Sequence, residues 1–169
     1  MPKLILRLWI LICLASVAWG PSFAMGQFSF LENTMTEKAS PDFTSKTAKG
    51  PELNFSKFRN GQSAIIFFWA TWCPHCREQL KELNAKAGEI EKKGIKVILV
   101  DVGETDKEVR AYVDKYKIAF EVFLDEDNTV ADKYSIIGVP TLFFINKKGV
   151  IKDTEHYLPD HFEEILKKE

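Results

Sequence analysis

The chain has 169 residues, of which 46% are apolar and 12% aromatic, and its formal net charge is −1. That length and composition suit one ordinary domain with one buried core. Lys and Glu are interspersed with no sustained basic tract, which gives no basis for nucleic-acid binding or for electrostatic attraction to a membrane surface.

The first 24 residues read differently from the rest. "MPKLILR" carries Lys3 and Arg7, "LWILICLASVAW" is an apolar run from Leu8 to Trp19, and "GPSFA" closes it, which is the order of a secretory signal. Ser22 and Ala24 put small residues at the −3 and −1 positions, so cleavage is expected after Ala24. The run is short for a membrane span, which needs roughly 20 residues. Stretched from Leu4 through Phe23, the same segment reads as an uncleaved N-terminal anchor, the alternative. Cys13 inside the run is read as a small hydrophobe, because Ile12 precedes it where a lipidated cysteine follows small residues. Without the leader only Cys73 and Cys76 remain, so the exported domain holds no separate structural disulfide.

Residues 25–40 show no sustained period and read as a linker; residues 41–169 read as the globular domain. "DFTSKTAKGPELNF" holds two short strand candidates around a Gly-Pro turn, and "FRNG" is a second turn signal. "AIIFFWA" has the length and composition of a strand covered on both faces. Pro74 suits the first turn of a helix in which Leu80, Leu83, Ala87 and Ile90 share one face until Gly94. "IKVILVDV" is the next buried strand. "TDKE" at Thr105 to Glu108 has capping-box spacing before Val109, Tyr112, Val113 and Tyr116. "FEVFL", a short helix near "NTVADKY", "PTLFFI", the turn "NKKG", the strand "VIKDTEHY" and a helix with Phe162, Ile165 and Leu166 complete an α/β layered domain.

"FWATWCPHCREQL", residues 68–80, holds the chemistry. A zinc site needs two more ligands, and His156 and His161 lie far outside the interval of roughly 12 to 15 residues that zinc fingers use. Haem attachment needs a histidine directly after the second cysteine, where Arg77 stands. A purely structural disulfide closing so small a loop constrains the unfolded chain little. Redox chemistry explains more of the residues. Cys73 sits where strand gives way to helix, so its sulfur can face unpaired backbone N–H groups and the positive end of the helix dipole, which favour the attacking thiolate. Cys76, on the first helical turn, is placed to resolve a mixed disulfide. His156 and His161 are otherwise read as solvated surface residues, as are the Lys/Glu runs near residues 89–93 and 163–169.

"FWATWCPHC" with "GVPT" at Gly138 to Thr141 resembles the thioredoxin-fold oxidoreductases, and the globular part from Pro41 onward resembles their exported TlpA/ResA group. The resemblance implies a thioredoxin-like fold: a central mixed sheet flanked by helices, with an N-terminal β-hairpin and an additional strand-helix insertion. It also implies Cys73 as nucleophile, Cys76 as resolving thiol and Pro140 as a cis-proline, with Val139 and Trp72 meeting an extended substrate segment by β-augmentation. Trp69 is read as core. No cofactor and no metal are implied beyond the redox-active pair.

Two departures concern proton handling. Phe67 stands six positions before Cys73, where thioredoxin has a buried aspartate, and Gln79 occupies the place of a glutamate frequent in the TlpA/ResA group. Glu78, one residue earlier, is the remaining candidate.

The direction of electron flow is drawn two ways. Pro74-His75 is the dipeptide of DsbA-like oxidases, in which the histidine stabilises the thiolate and thereby the reduced form. Thioredoxin and DsbA differ by roughly 150 mV, about 7 kcal/mol for two electrons, whereas one nearby charge supplies about 1.4 to 4 kcal/mol. His75 alone does not cover that gap. TlpA/ResA relatives are commonly membrane-tethered reductants that take electrons from a membrane thiol carrier and act on exported partners such as apocytochromes c and copper-site proteins. The expectation is therefore a monomeric, exported enzyme in the periplasm or on the outer face of the cytoplasmic membrane, reducing specific protein disulfides. The alternatives are a DsbA-like disulfide donor and, in another class, a scaffold or a copper carrier using the soft Cys73 and Cys76 thiolates.

Overall fold

The computed structural model describes residues 35–168. The expected signal or anchor and most of the expected linker lie outside them.

The fold grows around one strand. β3 (Ser63–Trp69) is buried along its whole length and lies between β4 (Ile95–Val102), parallel to it, and β6 (Thr141–Ile145), antiparallel to it. Side chains alternate across a strand, so one that is apolar at every position from Ala64 to Trp69 requires cover on both faces. Ile65, Phe67 and Trp69 enter one core with Cys76, Leu80, Leu83, Val109 and Ile165. Ala64, Ile66 and Phe68 enter the other with Phe43, Phe55, Phe123 and Tyr134.

The first core is roofed by α2 (Pro74–Ala85), α3 (Ala87–Lys92), α4 (Asp106–Tyr116) and α6 (Phe162–Lys167); the second by α1 (Phe55–Arg59) and α5 (Thr129–Lys133). The hairpin β1 (Thr44–Thr47) and β2 (Gly50–Asn54) joins the sheet through β5 (Glu121–Asp125), with Thr47 opposite Phe123. With β7 (Ile151–Glu155) the order is β2-β1-β5-β4-β3-β6-β7, a mixed sheet of seven strands and the thioredoxin-like architecture the sequence implies. The parallel strands β3, β4 and β5 are joined by the crossovers α2–α3 and α4, which places the start of α2 at the same end of the sheet as the loop that follows β4.

Three local details differ from the sequence expectation. The helix expected from Pro74 to Gly94 breaks at Lys86 (φ −91°, ψ 2°), whose N–H is shared between the Glu82 and Leu83 carbonyls, a tightening of the last turn. The apolar stripe survives the break, since Leu80, Leu83 and Ile90 are all buried. Around "FRNG" a short helix precedes the turn. Asn54 caps it by accepting from Lys57 N–H at 3.0 Å, and Asn60 (φ 49°) and Gly61 (φ 71°) end it in left-handed conformations. Residues 35–40, inside the expected linker, run along β7: Glu37 N–H donates to Ile151 O at 2.7 Å, Ile151 N–H to Lys38 O at 2.9 Å and Ser40 N–H to Gly149 O at 2.8 Å.

Asn54 does more than cap a helix. Its amide Nδ2 also donates to Asp42 Oδ2, Phe43 O and Thr44 Oγ1. Asn54→Ala is expected to lower the unfolding free energy by about 1 to 2 kcal/mol, read as a shifted urea midpoint, with disulfide exchange by the folded protein unchanged.

Candidate active site

β3 delivers its chain end to a short loop, Ala70-Thr71-Trp72, and Cys73 then serves as the N-cap of α2 (φ −80°, ψ 113°) with Pro74 in the first turn. Pro74 has no N–H to leave unsatisfied there. Cys73 Sγ accepts a hydrogen bond from Cys76 N–H at 3.1 Å, so the sulfur stands where a serine or aspartate oxygen caps other helices. Negative charge on that sulfur is favoured by the N–H and by the helix dipole together.

Cys73 and Cys76 are joined as a disulfide with their Cα atoms 5.2 Å apart. Cys73 is 3% exposed and Cys76 0%, so Cys73 is the outer sulfur of the pair. Trp72 beside it is 65% exposed, whereas Trp69 is fully buried against Tyr112.

The turn before β6 closes the site from the other side. The Val139–Pro140 bond is cis, Cys73 Sγ lies 3.8 Å from Val139 O, and Thr141 Oγ1 donates to Gly138 O at 2.8 Å. Two further residues hold this side of the site. His156 Nδ1 is 2.7 Å from Pro140 O, and Gln79 Oε1 accepts from Leu158 N–H at 2.7 Å. His156 is therefore tied to the active turn. His161, also expected to be a surface residue, is exposed at the start of α6.

His75 and Glu78 do not turn toward the sulfurs. Their side chains are 83% and 78% exposed and face each other, Nδ1 to Oε2, at 3.7 Å. Phe67 is fully buried in the apolar core, so no acid stands at that position.

Buried acid is found instead on β4. Asp101, the register partner of Trp69, is fully buried, and neither carboxyl oxygen has a hydrogen-bond partner within ordinary geometry. Burial, reinforced by the neighbouring Glu104 carboxylate, pushes its pKa up to about 9. Glu104 in turn accepts from Thr71 N–H, and from Thr71 Oγ1 at 2.6 Å, and Arg77 donates to Thr71 O at 3.2 Å. The loop that aims Cys73 is thus fastened to the loop after β4. An aspartate inside "VILVDV" is the sequence signal that marks the first of these residues. Nothing local marks the contact between Thr71 and Glu104. Among the described residues no group of three or more His, Cys, Asp or Glu side chains is assembled to hold a metal ion.

A cysteine pair at a strand-to-helix junction, with a cis-proline turn against the outer sulfur, defines a thioredoxin-fold thiol-disulfide oxidoreductase. Residues 36–154 match the AhpC/TSA family. The chain is 31% identical over 168 residues to the thiol-disulfide oxidoreductase ResA of Bacillus cereus, covering 98% of this chain and 96% of that protein. The crystal structure of StoA from Bacillus subtilis superposes with a TM-score of 0.63 at 26% identity, covering 75% of this chain and 96% of that one. A secreted disulfide oxidoreductase of Mycobacterium tuberculosis shares the fold, with a TM-score of 0.63 at 19% identity over 73% of this chain and 93% of that one. The chain belongs to the AhpC/TSA family and, within it, to the thiol-disulfide oxidoreductases of the ResA type.

Asp101 makes stability depend on pH. An acid whose pKa rises on folding holds a proton in the native state that the unfolded chain releases, so folding is penalised progressively as pH climbs from about 4 to about 9, by up to about 1.4 kcal/mol per unit. Asp101→Asn keeps the shape and removes the titration. Urea midpoints at pH 5, 7 and 9 are expected to fall with pH less steeply in the variant than in the parent, and the variant is expected to be the more stable protein at pH 9.

Proposed function

We propose that this chain is an exported reductant of particular protein disulfides, of the kind handled in cytochrome c maturation or at copper sites, re-reduced by a membrane thiol carrier. The observation that carries the direction is the placement of His75. Its ring sits in solvent opposite Glu78 at 3.7 Å. Any imidazolium charge is offset by that carboxylate and screened by water, which leaves little for the Cys73 thiolate. The remaining stabilisers, a helix N-terminus and one backbone N–H, are those of an ordinary C-x-x-C site, so the pair keeps a reducing potential.

In this reading Cys73 thiolate attacks one sulfur of the partner's disulfide, forming a mixed disulfide and releasing the partner's other sulfur as thiolate. Cys76, deprotonated, then attacks Cys73 Sγ, closing the Cys73–Cys76 bond and releasing the second partner thiol. Two electrons pass to the partner. The partner's chain lies extended along Val139 and Pro140, with Trp72 against it. The Cys76 proton is released to solvent, since Asp101, protonated at neutral pH, is no base and the Glu78 carboxylate faces His75 rather than the sulfurs. Export is supported by the signal-like order of residues 1–24; no helix among the described residues is long and apolar enough to cross a membrane.

The equilibrium reduction potential against glutathione and dithiothreitol buffers tests the direction. A value near or below thioredoxin's, about −270 mV, is expected, and one near DsbA's, about −120 mV, would identify a disulfide donor instead. His75→Ala is expected to move the potential by less than about 30 mV, the equivalent of about one pKa unit. Cys73→Ser abolishes turnover of a disulfide substrate, and Cys76→Ser leaves the partner attached to Cys73, visible by mass spectrometry. Copper retained by the reduced protein after anaerobic purification, without disulfide turnover, would mark a binding module.

A further inference from the structure

The segment that follows β7 is held to the active end at three points. His156 Nδ1 contacts Pro140 O at 2.7 Å, Leu158 N–H donates to Gln79 Oε1 at 2.7 Å, and Leu158 is buried in the core that also holds Cys76. Between the anchors Tyr157 is 55% exposed. The Pro140 carbonyl is therefore engaged by the His156 ring, while Cys73 Sγ, which has no hydrogen to donate in the disulfide, only lies 3.8 Å from Val139 O.

The chemistry of the Pro140 contact fixes the ring. A carbonyl oxygen only accepts, so the proton of the His156–Pro140 contact sits on Nδ1 in either charge state. In the neutral ring Nε2 is then an acceptor with no hydrogen of its own, carried on an exposed side chain. The large apolar side chains around it are distributed unevenly. Four are exposed among the described residues, and three of them, Trp72, Ile137 and Tyr157, are within two residues of Cys73, Val139 and His156 respectively. Such side chains are ordinarily covered by a partner when they gather at one place.

We propose that His156 and Tyr157 form a recognition wall for an extended protein segment seated on the Val139–Pro140 turn: Nε2 of His156 accepts a backbone N–H of that segment, and Tyr157, with Trp72 and Ile137, covers apolar side chains flanking the partner's cysteine. The occupant is a polypeptide, since a small thiol offers neither a backbone N–H in register nor flanking side chains. The proposal rests on Cys73 being the sulfur that meets the partner. Its consequence is selectivity: the wall contributes to reaction with peptide disulfides and nothing to reaction with small ones.

Two substrates that release the same chromophore separate these effects. The first is a peptide of about ten residues with leucine on both sides of one cysteine, joined to thionitrobenzoate through a disulfide. The second is dithiobis(nitrobenzoate) itself. In single turnover of the reduced full chain with peptide in excess, His156→Ala and His156→Asn are both expected to raise the half-saturating peptide concentration about fivefold, the worth of one neutral hydrogen bond, with the limiting rate retained. Loss of the ring also loosens the Pro140 turn beside Cys73, so the reading is a ratio: in His156→Asn, which keeps a donor to Pro140 O, the loss on the peptide is expected to exceed any loss on the small disulfide about fivefold. Asn preserves a donor to Pro140 O but not the Nε2 acceptor, so full recovery in His156→Asn would mean that the ring only props the turn, and would overturn the proposal. Equal losses on both substrates, or none on the peptide, would overturn it too. Tyr157→Ala alters an exposed side chain and checks the wall independently of the histidine. It is expected to abolish the preference for the leucine-flanked peptide over a serine-flanked one, and an unchanged preference would sink the apolar half of the proposal. Absence of chromophore release from either substrate by the unmodified protein would instead remove the exchange chemistry on which the wall depends.

Discussion

The hydrogen bond from Cys76 N–H to Cys73 Sγ is the interaction on which the active end is organised. It requires a strand to end and a helix to begin within a few residues, and each side of that junction is imposed by the chain. β3 is apolar from Ala64 to Trp69 and is driven inside on both faces, which fixes where Ala70 emerges. Pro74 pre-sets the first helical turn, and Leu80 and Leu83 hold α2 against the core. The sulfur is left as the only side-chain cap available to the helix. Reactivity therefore follows from an ordinary rule of helix termini applied to an unusual atom.

Around that junction the site is assembled from elements far apart in the chain, and polar contacts do the fastening. Glu104 holds Thr71, Arg77 reaches back to the Thr71 carbonyl, Gln79 holds Leu158 and His156 holds Pro140. Each fixes a backbone group, so the loops that surround Cys73 are braced against α2 and the strand ends. Asp101 beneath them is an exception. It is an acid kept protonated by burial and by the neighbouring Glu104 carboxylate, an energetic burden at high pH that the surrounding apolar packing offsets.

How much of this was legible in the sequence follows from the range of each signal. The all-apolar strand, the cysteine spacing, the proline at N1 and the capping box at Thr105 are local patterns, and all appear in the structure where the sequence puts them. The "GVPT" turn carried information only through family resemblance, because nothing local makes Pro140 cis. The remaining contacts join residues 33, 16 and 79 positions apart, between Thr71 and Glu104, Pro140 and His156, and Gln79 and Leu158. No periodicity encodes such pairs. Hence His156 reads as a solvated residue in the sequence and as a brace of the cis-proline turn in the structure. Gln79, which in the sequence is a missing acid, has a structural task of its own.

The backbone that runs beside the start of β7 has a consequence for how the protein meets other chains. An open sheet carries two lateral strands whose outward N–H and C=O groups can template pairing with another chain. On the β7 side Glu37 and Ser40 donate to Ile151 and Gly149, and Lys38 accepts from Ile151, so those groups are already taken. The opposite lateral strand, β2, is five residues long and includes Pro51, which lacks an N–H, and the charged Glu52. The start of β7 is thus closed by the chain's own backbone, and β2 is blunted by its length, its proline and its charge.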